Sequence, residues 1–285
     1  GGPSLADADK ILSAARKAIA AQQAGHQVVM VVSAMGKNTD TLVELANQLH
    51  QRPPAREMDA LLSTGEQVSA SLMAMAINSL GHQAVSLSGA QIGIRTDSTH
   101  TKARIISIST SRIEQLLDDG NIVIAAGFQG IDENQDITTL GRGGSDTTAV
   151  ALAAVLGAAR CQIYTDVDGV YTTDPRLVES AQRLNQLSYD EMLELASLGA
   201  GVMHSRSIEF AKNYSVPVQV SSSMTDNPGT MIHETSPADA LAVCGAVLTV
   251  NEARITLARV PDVPGASHEI FSRIAEHKVA VDMIV

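Results

Sequence analysis

A glycine-rich segment, residues 138–150, combines the groups that could hold a small anion. Its central residues are Gly141, Arg142, Gly143, Gly144, Ser145 and Asp146. A small apolar run that is typical of a helix follows them. Glycines let backbone N–H groups approach a ligand closely, and a helix start adds unpaired N–H donors and the positive end of a dipole. The Arg142 guanidinium is a planar fork suited to a carboxylate or phosphate. The alternative, a tight turn that begins a helix, has no use for an arginine between glycines.

The elements around this segment predict an α/β fold. Apolar β-branched runs at 28–32 and 122–126 indicate strands buried on both faces of a sheet. Helical spacing alternates with such strands, which is typical of a mostly parallel sheet with helices on both faces. We predict helices over 6–24, 41–50, 63–80, 111–118, 146–158, 188–198 and 203–213, strands over 84–87, 161–166 and 216–220, and a loop-rich stretch over 88–102.

Polar residues follow several of these strands, and the carboxyl ends of parallel strands meet at one edge, where sites form. Ser33 and Thr39 come after the first strand, and 165–176 mixes aspartates with Tyr171 and Arg176. That mixture is compatible with a solvated loop as well as with a site. Glu66, at the predicted start of a helix, could bind a ligand or simply favour the helix dipole.

Other classes of protein are excluded by composition and motifs. The net charge of −11 argues against nucleic acid or an anionic membrane as partner, and no apolar run approaches the roughly 20 residues of a membrane span. Cys161 and Cys244 lie in apolar runs without CxxC spacing, which suits packing roles in a reducing cytoplasm. The Walker pattern, a complete GxGxxG, a GxSxG elbow and zinc-ligand spacing are absent, so no metal ligand is predicted. His204 is expected to cap a helix or pack in the core.

Five motifs closely resemble those of the aspartokinase family, in the family's order and over essentially the whole chain. They are Val-Val-Ser-Ala-Met (31–35), Leu-Ser-Thr-Gly-Glu-Gln (62–67), Ala-Gly-Phe-Gln-Gly (126–130), Thr-Leu-Gly-Arg-Gly-Gly-Ser-Asp-Thr-Thr-Ala (139–149) and Tyr-Thr-Asp-Val-Asp-Gly-Val-Tyr-Thr-Thr-Asp-Pro-Arg (164–176). The tail, at 260–265 and 281–285, resembles the start of the regulatory ACT region.

This resemblance implies ATP-dependent phosphorylation of the β-carboxylate of L-aspartate, with Mg²⁺, at the head of lysine, threonine and methionine synthesis. Glu66 would meet the α-ammonium and Arg142 would clamp a carboxylate, with Asp146 as a second catalytic residue. The remaining implied aspartate-binding residues are Ser33, Thr39, Gly143, Gly144 and Ser145, and the implied ATP-binding residues are Thr165, Asp166, Tyr171, Asp174 and Arg176. An ionised carboxylate needs no general base, so such chemistry depends on alignment and charge stabilisation.

The resemblance also implies an architecture: a three-layer sandwich with a mostly parallel sheet, the amino-acid kinase fold, over 1–236, then a partial α+β ACT-like domain over 237–285. In that second part we predict strands over 243–250, 253–260 and 279–285 and a helix after Pro264. A homo-oligomer and a lysine or threonine effector at the ACT region are further implications.

Departures from the family pattern leave alternatives open. The family opens with Lys-Phe-Gly-Gly, whereas this sequence starts at Gly1, so we expect its catalytic lysine and first strand to be missing. A second lysine is replaced in Gly-Ala-Gly-Val (199–202), and Val-Ser-Ser-Ser (220–223) stands where Val-Arg-Ser-Ser is usual. One alternative is therefore a non-catalytic ligand-binding or regulatory fragment. Another is the same fold acting on glutamate, acetylglutamate or a nucleotide, although Glu66 after Ser-Thr-Gly favours a free amino acid.

Overall fold

The computed structural model describes residues 2–199, 201–225, 227–234, 243–248, 255–261, 263–276 and 281. The chain forms two compact units, Gly1–Leu248 and Thr249–Val285. The domain boundary predicted at 236/237 falls in 235–242, outside the described residues. Among the described residues, no helix is both long enough and apolar enough to cross a membrane.

The first unit alternates helices and strands, as the sequence predicts, after a short 3₁₀ helix at Gly2–Leu5. Its helices are α1 Ala8–Gln23, α2 Asn38–Leu49, α3 Ala55–Ser79, α4 Gly89–Ile92, α5 Ser111–Asp118, α6 Gly144–Val155, α7 Tyr189–Ser197 and α8 Ser205–Asn213. Its strands are β1 Val29–Val32, β2 Ala84–Leu87, β3 Ile94–Thr96, β4 Ile105–Ile108, β5 Ile122–Ala126, β6 Gln129–Ile131, β7 Ile137–Thr139, β8 Cys161–Thr165, β9 Gln186–Ser188, β10 Val218–Ser222 and β11 Thr230–His233.

The sheet β1-β5-β2 is wholly parallel and forms the middle layer of a sandwich. Successive side chains of a strand point to opposite faces, and β5 is apolar on both. Ile122 and Ile124 pack in one core cluster with α1 and α3, while Val123 and Ala125 pack in another with α5 and α6. This double burial is the physical reason for the uninterrupted apolar run, and it confirms the predicted α/β sandwich.

A second sheet, in the order β8-β10-β11-β9, carries its own core with α7 and α8. Strand β10 runs parallel to β8 and antiparallel to β11. Helix α6 joins the two halves of the unit: Leu152 packs with the core of the first sheet, and Val150 packs with that of the second. Because α6 begins at the glycine-rich segment, the position of that segment is fixed by both cores.

A third sheet has the order β4-β3-β6-β7; β3 and β4 precede β5 in sequence, and β6 and β7 follow it and lead into the glycines. The hairpin β6–β7 is antiparallel, and β3 runs parallel to β6. The prediction of a loop over 88–102 is wrong, because α4 and β3 lie there. Three- and four-residue strands with polar members carry too little apolar periodicity to be found by pattern.

Two further expectations need correction. Helix α3 begins at Ala55, directly after Pro53–Pro54, and not at Ser63. Residues 243–248 and 255–261 have no strand where two strands were predicted. The predicted helix after Pro264 is confirmed as α9, Ala266–Glu276. The last predicted strand, 279–285, lies outside the described residues except for Val281.

Candidate active site

The middle of α3 packs against the carboxyl ends of β1 and β5. The N–H of Ala34 donates to Oε1 of Glu66 at 3.1 Å, and the N–H of Gly127 donates to the carbonyl of Val32 at 3.0 Å. A Cβ at Gly65 would lie 2.8 Å from the Cβ of Ala34, so a glycine is needed for this approach. Glu66 therefore lies inside a helix, and the expectation that it begins one, with a role at the dipole, is wrong.

Glu66 is a buried carboxylate that is only half satisfied. Its side chain is 4% exposed, and Oε2 has no hydrogen-bond partner among the described residues. Burial disfavours the charged form and raises the pKa of Glu66 to about 7, against the opposing effect of the Ala34 N–H. A buried acceptor without a donor is costly, so Oε2 is suited to a cationic donor supplied by a ligand.

The glycine-rich segment has the backbone that its composition predicts. Gly141 has φ +78° and Gly143, the N-cap of α6, has φ +67°, both in the left-handed region that favours glycine. A Cβ at Gly127 would lie 2.8 Å from the Oγ of Ser145, so the end of β5 touches the first turn of α6. Arg142 between these glycines is exposed. A flexible cation thus stands at a helix N-terminus beside the ends of the central strands.

Residues after β5 anchor this segment. Phe128 has φ +69°, its N–H donates to the Oγ1 of Thr148 at 3.1 Å, and its carbonyl accepts from the N–H of Leu140. Asp146, in the first turn of α6, is half-buried, and burial raises its pKa. His204 caps α8, as predicted, by accepting from the N–H of Arg206.

The loop at 165–176 is organised by its own polar contacts. The hydroxyl of Tyr171 donates to Asp168 at 2.8 Å, which raises the pKa of Tyr171, and Arg176 pairs with Asp174 at 2.7 Å, which lowers the pKa of that carboxyl. Thr165 is half-buried and donates to the exposed Asp166. Within the described part of the chain no hydrogen bond joins this loop to the glycine-rich segment; both lie at ends of elements that pack on the second core.

One cluster of His and Asp side chains has the spacing of metal ligands within the described residues: His100, Asp132 and Asp136. Each member already has protein partners. His100 Nδ1 bonds Asp59 at 2.8 Å, Asp136 pairs with Arg56 at 2.7 Å, and Asp132 accepts from the backbone of its own hairpin turn. We therefore interpret the cluster as a network of hydrogen bonds and ion pairs that holds the β6–β7 hairpin in place.

The comparisons with known proteins agree with this geometry. The family model of the amino acid kinase family matches residues 1–222. Aspartokinase 2 of Bacillus subtilis is 54% identical over 286 residues, covering all of this chain and 70% of its own length. The chain belongs to the aspartokinases.

Solved aspartokinases share the fold. Aspartate kinase from Synechocystis is 44% identical with a TM-score of 0.74, covering 98% of this chain and 47% of its own. Aspartokinase III of Escherichia coli in complex with aspartate and ADP is 26% identical with a TM-score of 0.82, covering 100% of this chain and 75% of its own. The same enzyme has been solved with lysine and aspartate, at a TM-score of 0.81.

Within this aspartokinase fold, three of the residues assigned to aspartate from the sequence, Ser33, Glu66 and Ser145, meet the carboxyl ends of β1 and β5. Ser33 directly precedes Ala34, Glu66 binds Ala34, and Ser145 touches Gly127. Thr39 lies in the first turn of α2, half-buried. The residues assigned to ATP, all within 165–176, form a separate group that begins with the last residue of β8. Their roles stay predictions.

Sequence reasoning missed several residues that shape the aspartokinase site. Asp59 and Arg206 hold the segments next to the glycines, and Gln129 donates to the carbonyl of Ser63 in α3 at 2.9 Å. Asp59 is wholly buried, but the sequence offered no signal for it, because it precedes the helix predicted over 63–80. Its partners are 41 to 80 residues away, so no local pattern names them.

Proposed function

We propose that this chain uses the site around Glu66 and Arg142 to transfer the γ-phosphoryl group of ATP to the β-carboxylate of L-aspartate, giving 4-phospho-L-aspartate. The observation that carries the proposal is the Oε2 of buried Glu66, which has no hydrogen-bond partner among the described residues while Oε1 accepts from Ala34 at the carboxyl end of β1. An α-ammonium is the complementary ligand for a buried carboxylate, and the guanidinium of Arg142 is complementary to a carboxylate of the same substrate. A free amino acid with a second carboxylate fits both.

The reaction places few demands on proton transfer. A carboxylate oxygen attacks the γ-phosphorus of ATP, a P–O bond to the acceptor forms, and the bond to ADP breaks. Since the acceptor is ionised at neutral pH, no general base is required. The chain contributes alignment of the two substrates, together with N–H groups at the start of α6 and the charge of Arg142 near the transferring group.

ATP is assigned to the loop after β8, with Thr165, Asp166, Tyr171, Asp174 and Arg176 as its binding residues. Mg²⁺ prefers oxygen ligands and commonly binds through one or two carboxylates plus the phosphates of a nucleotide. Asp146 lies in the first turn of α6 and Asp166 directly follows β8, and neither carboxylate has a salt bridge to another described residue, so both are available for that role. The ion would neutralise charge on the phosphates.

The rest of the family assignment is proposed on the same basis. Residues 237–285 begin a regulatory ACT region that takes an amino-acid effector, lysine or threonine, and the chain assembles as a homo-oligomer. The helix α9 is compatible with an ACT unit. Cys161 and Cys244 are both free thiols, which suits a cytoplasmic protein.

An acceptor panel tests the function. ADP release is measured with L-aspartate, L-glutamate, N-acetyl-L-aspartate and UMP as acceptors at equal concentration. We expect turnover with L-aspartate alone, because acetylation removes the ammonium that Glu66 requires. Release of ADP with N-acetyl-L-aspartate or UMP at the aspartate rate would contradict the proposal, and release with L-glutamate would change the assigned substrate.

A further inference from the structure

Two chain segments that lead to the glycines at 141–144 are joined from opposite sides by charged side chains, the buried Asp59 and the half-buried Arg206. The segments are 100–103, which precedes β4, and 139–140, which ends β7. A main-chain hydrogen bond from the N–H of Ala103 to the carbonyl of Thr139, 2.9 Å long, already links them. Asp59 from α3 and Arg206 from α8 each add bonds to both segments.

Asp59 is a carboxylate with no exposed surface and a full set of donors. It accepts from the N–H of Thr101 at 3.0 Å, from Nδ1 of His100 at 2.8 Å and from the hydroxyl of Thr139. Thr101 has φ +68°, a conformation that a β-branched residue rarely adopts and that persists only when its surroundings impose it. The bond from the Thr101 N–H to the carboxylate of Asp59 holds the backbone in this conformation.

Arg206 acts in the same way from the other side. Its two terminal nitrogens donate to different segments, at 2.8 Å to the carbonyl of Leu140 and at 2.9 Å to the carbonyl of Ala103. The rigid fork of a guanidinium fixes the separation of two acceptors, which a single ammonium cannot do. Arg206 is half-buried, so these bonds are shielded from water.

The joined segments lead directly into the loop that carries Arg142. Leu140, whose carbonyl Arg206 binds, is followed by Gly141, and a Cβ at Gly141 would lie 3.0 Å from the carbonyl oxygen of Thr101. The backbone on the N-terminal side of Arg142 therefore rests on the residue whose conformation Asp59 holds. Moving either segment displaces Gly141 and, with it, the guanidinium of Arg142.

We propose that Asp59 and Arg206 are positioning residues that fix the Arg142 loop for the substrate carboxylate without touching substrate themselves. The inference rests on the proposed function, since it assumes that Arg142 binds aspartate. The proposed role differs from a general role in folding, because the effect of each substitution on aspartate affinity should depend on the presence of Arg142. A double-mutant cycle measures that dependence.

The test is aspartate binding by titration calorimetry, which does not require turnover. Asp59→Asn keeps the shape of the side chain but replaces a carboxylate oxygen by a donor that faces other donors. We expect its aspartate Kd to rise about tenfold while its ATP Kd stays within about twofold. Arg206→Gln is the second variant, with the same expected pattern, should Asp59→Asn fail to fold.

The decisive step combines each variant with Arg142→Ala. If Asp59 and Arg206 act through Arg142, each change is expected to alter aspartate affinity by less than about twofold in that background. The control is Asn78→Ala, which removes two bonds to Ala84 at the far end of the same helix and should leave both affinities unchanged. An equal tenfold loss with and without Arg142, or an equal loss for ATP, would overturn the inference. Absence of aspartate binding in the unmodified chain would instead overturn the proposed function.

Discussion

Glu66 and Ala34 are joined by a hydrogen bond that engages one oxygen of a buried carboxylate and leaves the other without a partner among the described residues. The Ala34 N–H donates to Oε1 at 3.1 Å, at the carboxyl end of β1. The bond fixes the direction of the side chain from the sheet, while burial keeps water from Oε2. The site is thereby prepared for a cation before substrate arrives.

Glu66→Gln is expected to weaken aspartate binding and spare ATP. The amide keeps the shape but loses the charge that an α-ammonium needs, so the aspartate KM should rise at least about tenfold. The ATP KM should stay within about twofold. Steady-state kinetics with each substrate varied in turn provides the measurement, and Glu57→Gln, exposed in the first turn of the same helix, is the control. A rise in the ATP KM alone would place Glu66 on the wrong substrate.

Aspartate binding should depend on pH through Glu66. Its pKa is raised to about 7 by burial, so the carboxyl becomes neutral as the pH falls below that value and no longer attracts an ammonium. We expect the aspartate KM to rise about tenfold per pH unit below the pKa, and the profile of Glu66→Gln to be flat. The measurement covers pH 5.5 to about 8, the range in which the Glu66 carboxyl titrates. The same dependence of the aspartate KM on pH in the unmodified chain and in Glu66→Gln would contradict this prediction.

The same raised pKa sets the sign of a stability change in the unliganded chain. The folded state holds the Glu66 proton more tightly than the unfolded state, so the free energy of unfolding should fall as the pH rises from 4.5 to about 7. The contribution is about 3 kcal/mol and should be absent in Glu66→Gln. Urea unfolding of both proteins at the two ends of that range measures it. An equal fall in the variant would show that another group causes the change.

Gly127→Ala probes the contact between β5 and α6. The added methyl would meet Ser145 at 2.8 Å from its Oγ and 3.0 Å from its Cα, so the start of the helix must shift. We expect a stability loss of about 1–3 kcal/mol and a fall in turnover of at least about tenfold. Gly201→Ala, where an added Cβ meets nothing within 4 Å, is the control. Normal turnover in Gly127→Ala would remove Ser145 from the site.

The success of the sequence prediction depended on how local each signal was. The sequence of β5 predicts a strand because both of its faces are buried and therefore apolar. The glycines around Arg142 predict a tight loop because its backbone angles require glycine. The start of α3 was placed eight residues late because Ser63 resembles an N-cap, whereas its hydroxyl bonds the Ala60 carbonyl within the helix. Serine and threonine make such bonds in helices as well as at caps.

What the sequence could not supply was long-range pairing. Asp59, His100 and Arg206 contact residues that only the folded sheets bring near, so their roles have no sequence spacing to reveal them. The short strands β6 and β7 were missed for the same reason, since their pairing partners, and not their composition, make them strands. The motifs of the candidate site could therefore be found in the sequence, whereas the distant residues that support them could not.

Arg142→Ala is expected to lower turnover about a hundredfold or more, because the variant loses the charge-assisted bond from the guanidinium to the substrate carboxylate. Arg112→Ala, an exposed arginine in the first turn of α5, is the control and should not differ from the unmodified chain. Initial rates at saturating ATP are compared for the three proteins. A rate for Arg142→Ala within about threefold of the parent would contradict the assignment.

The central claim is that an acyl phosphate forms on aspartate at this site, and trapping with hydroxylamine tests it most directly. Hydroxylamine attacks the acyl carbon of 4-phospho-L-aspartate, releases phosphate and leaves aspartyl hydroxamate. We predict hydroxamate formation that requires both ATP and L-aspartate and that Glu66→Gln and Arg142→Ala abolish or strongly reduce. ADP release without hydroxamate, or hydroxamate formation undiminished in both variants, would contradict the account.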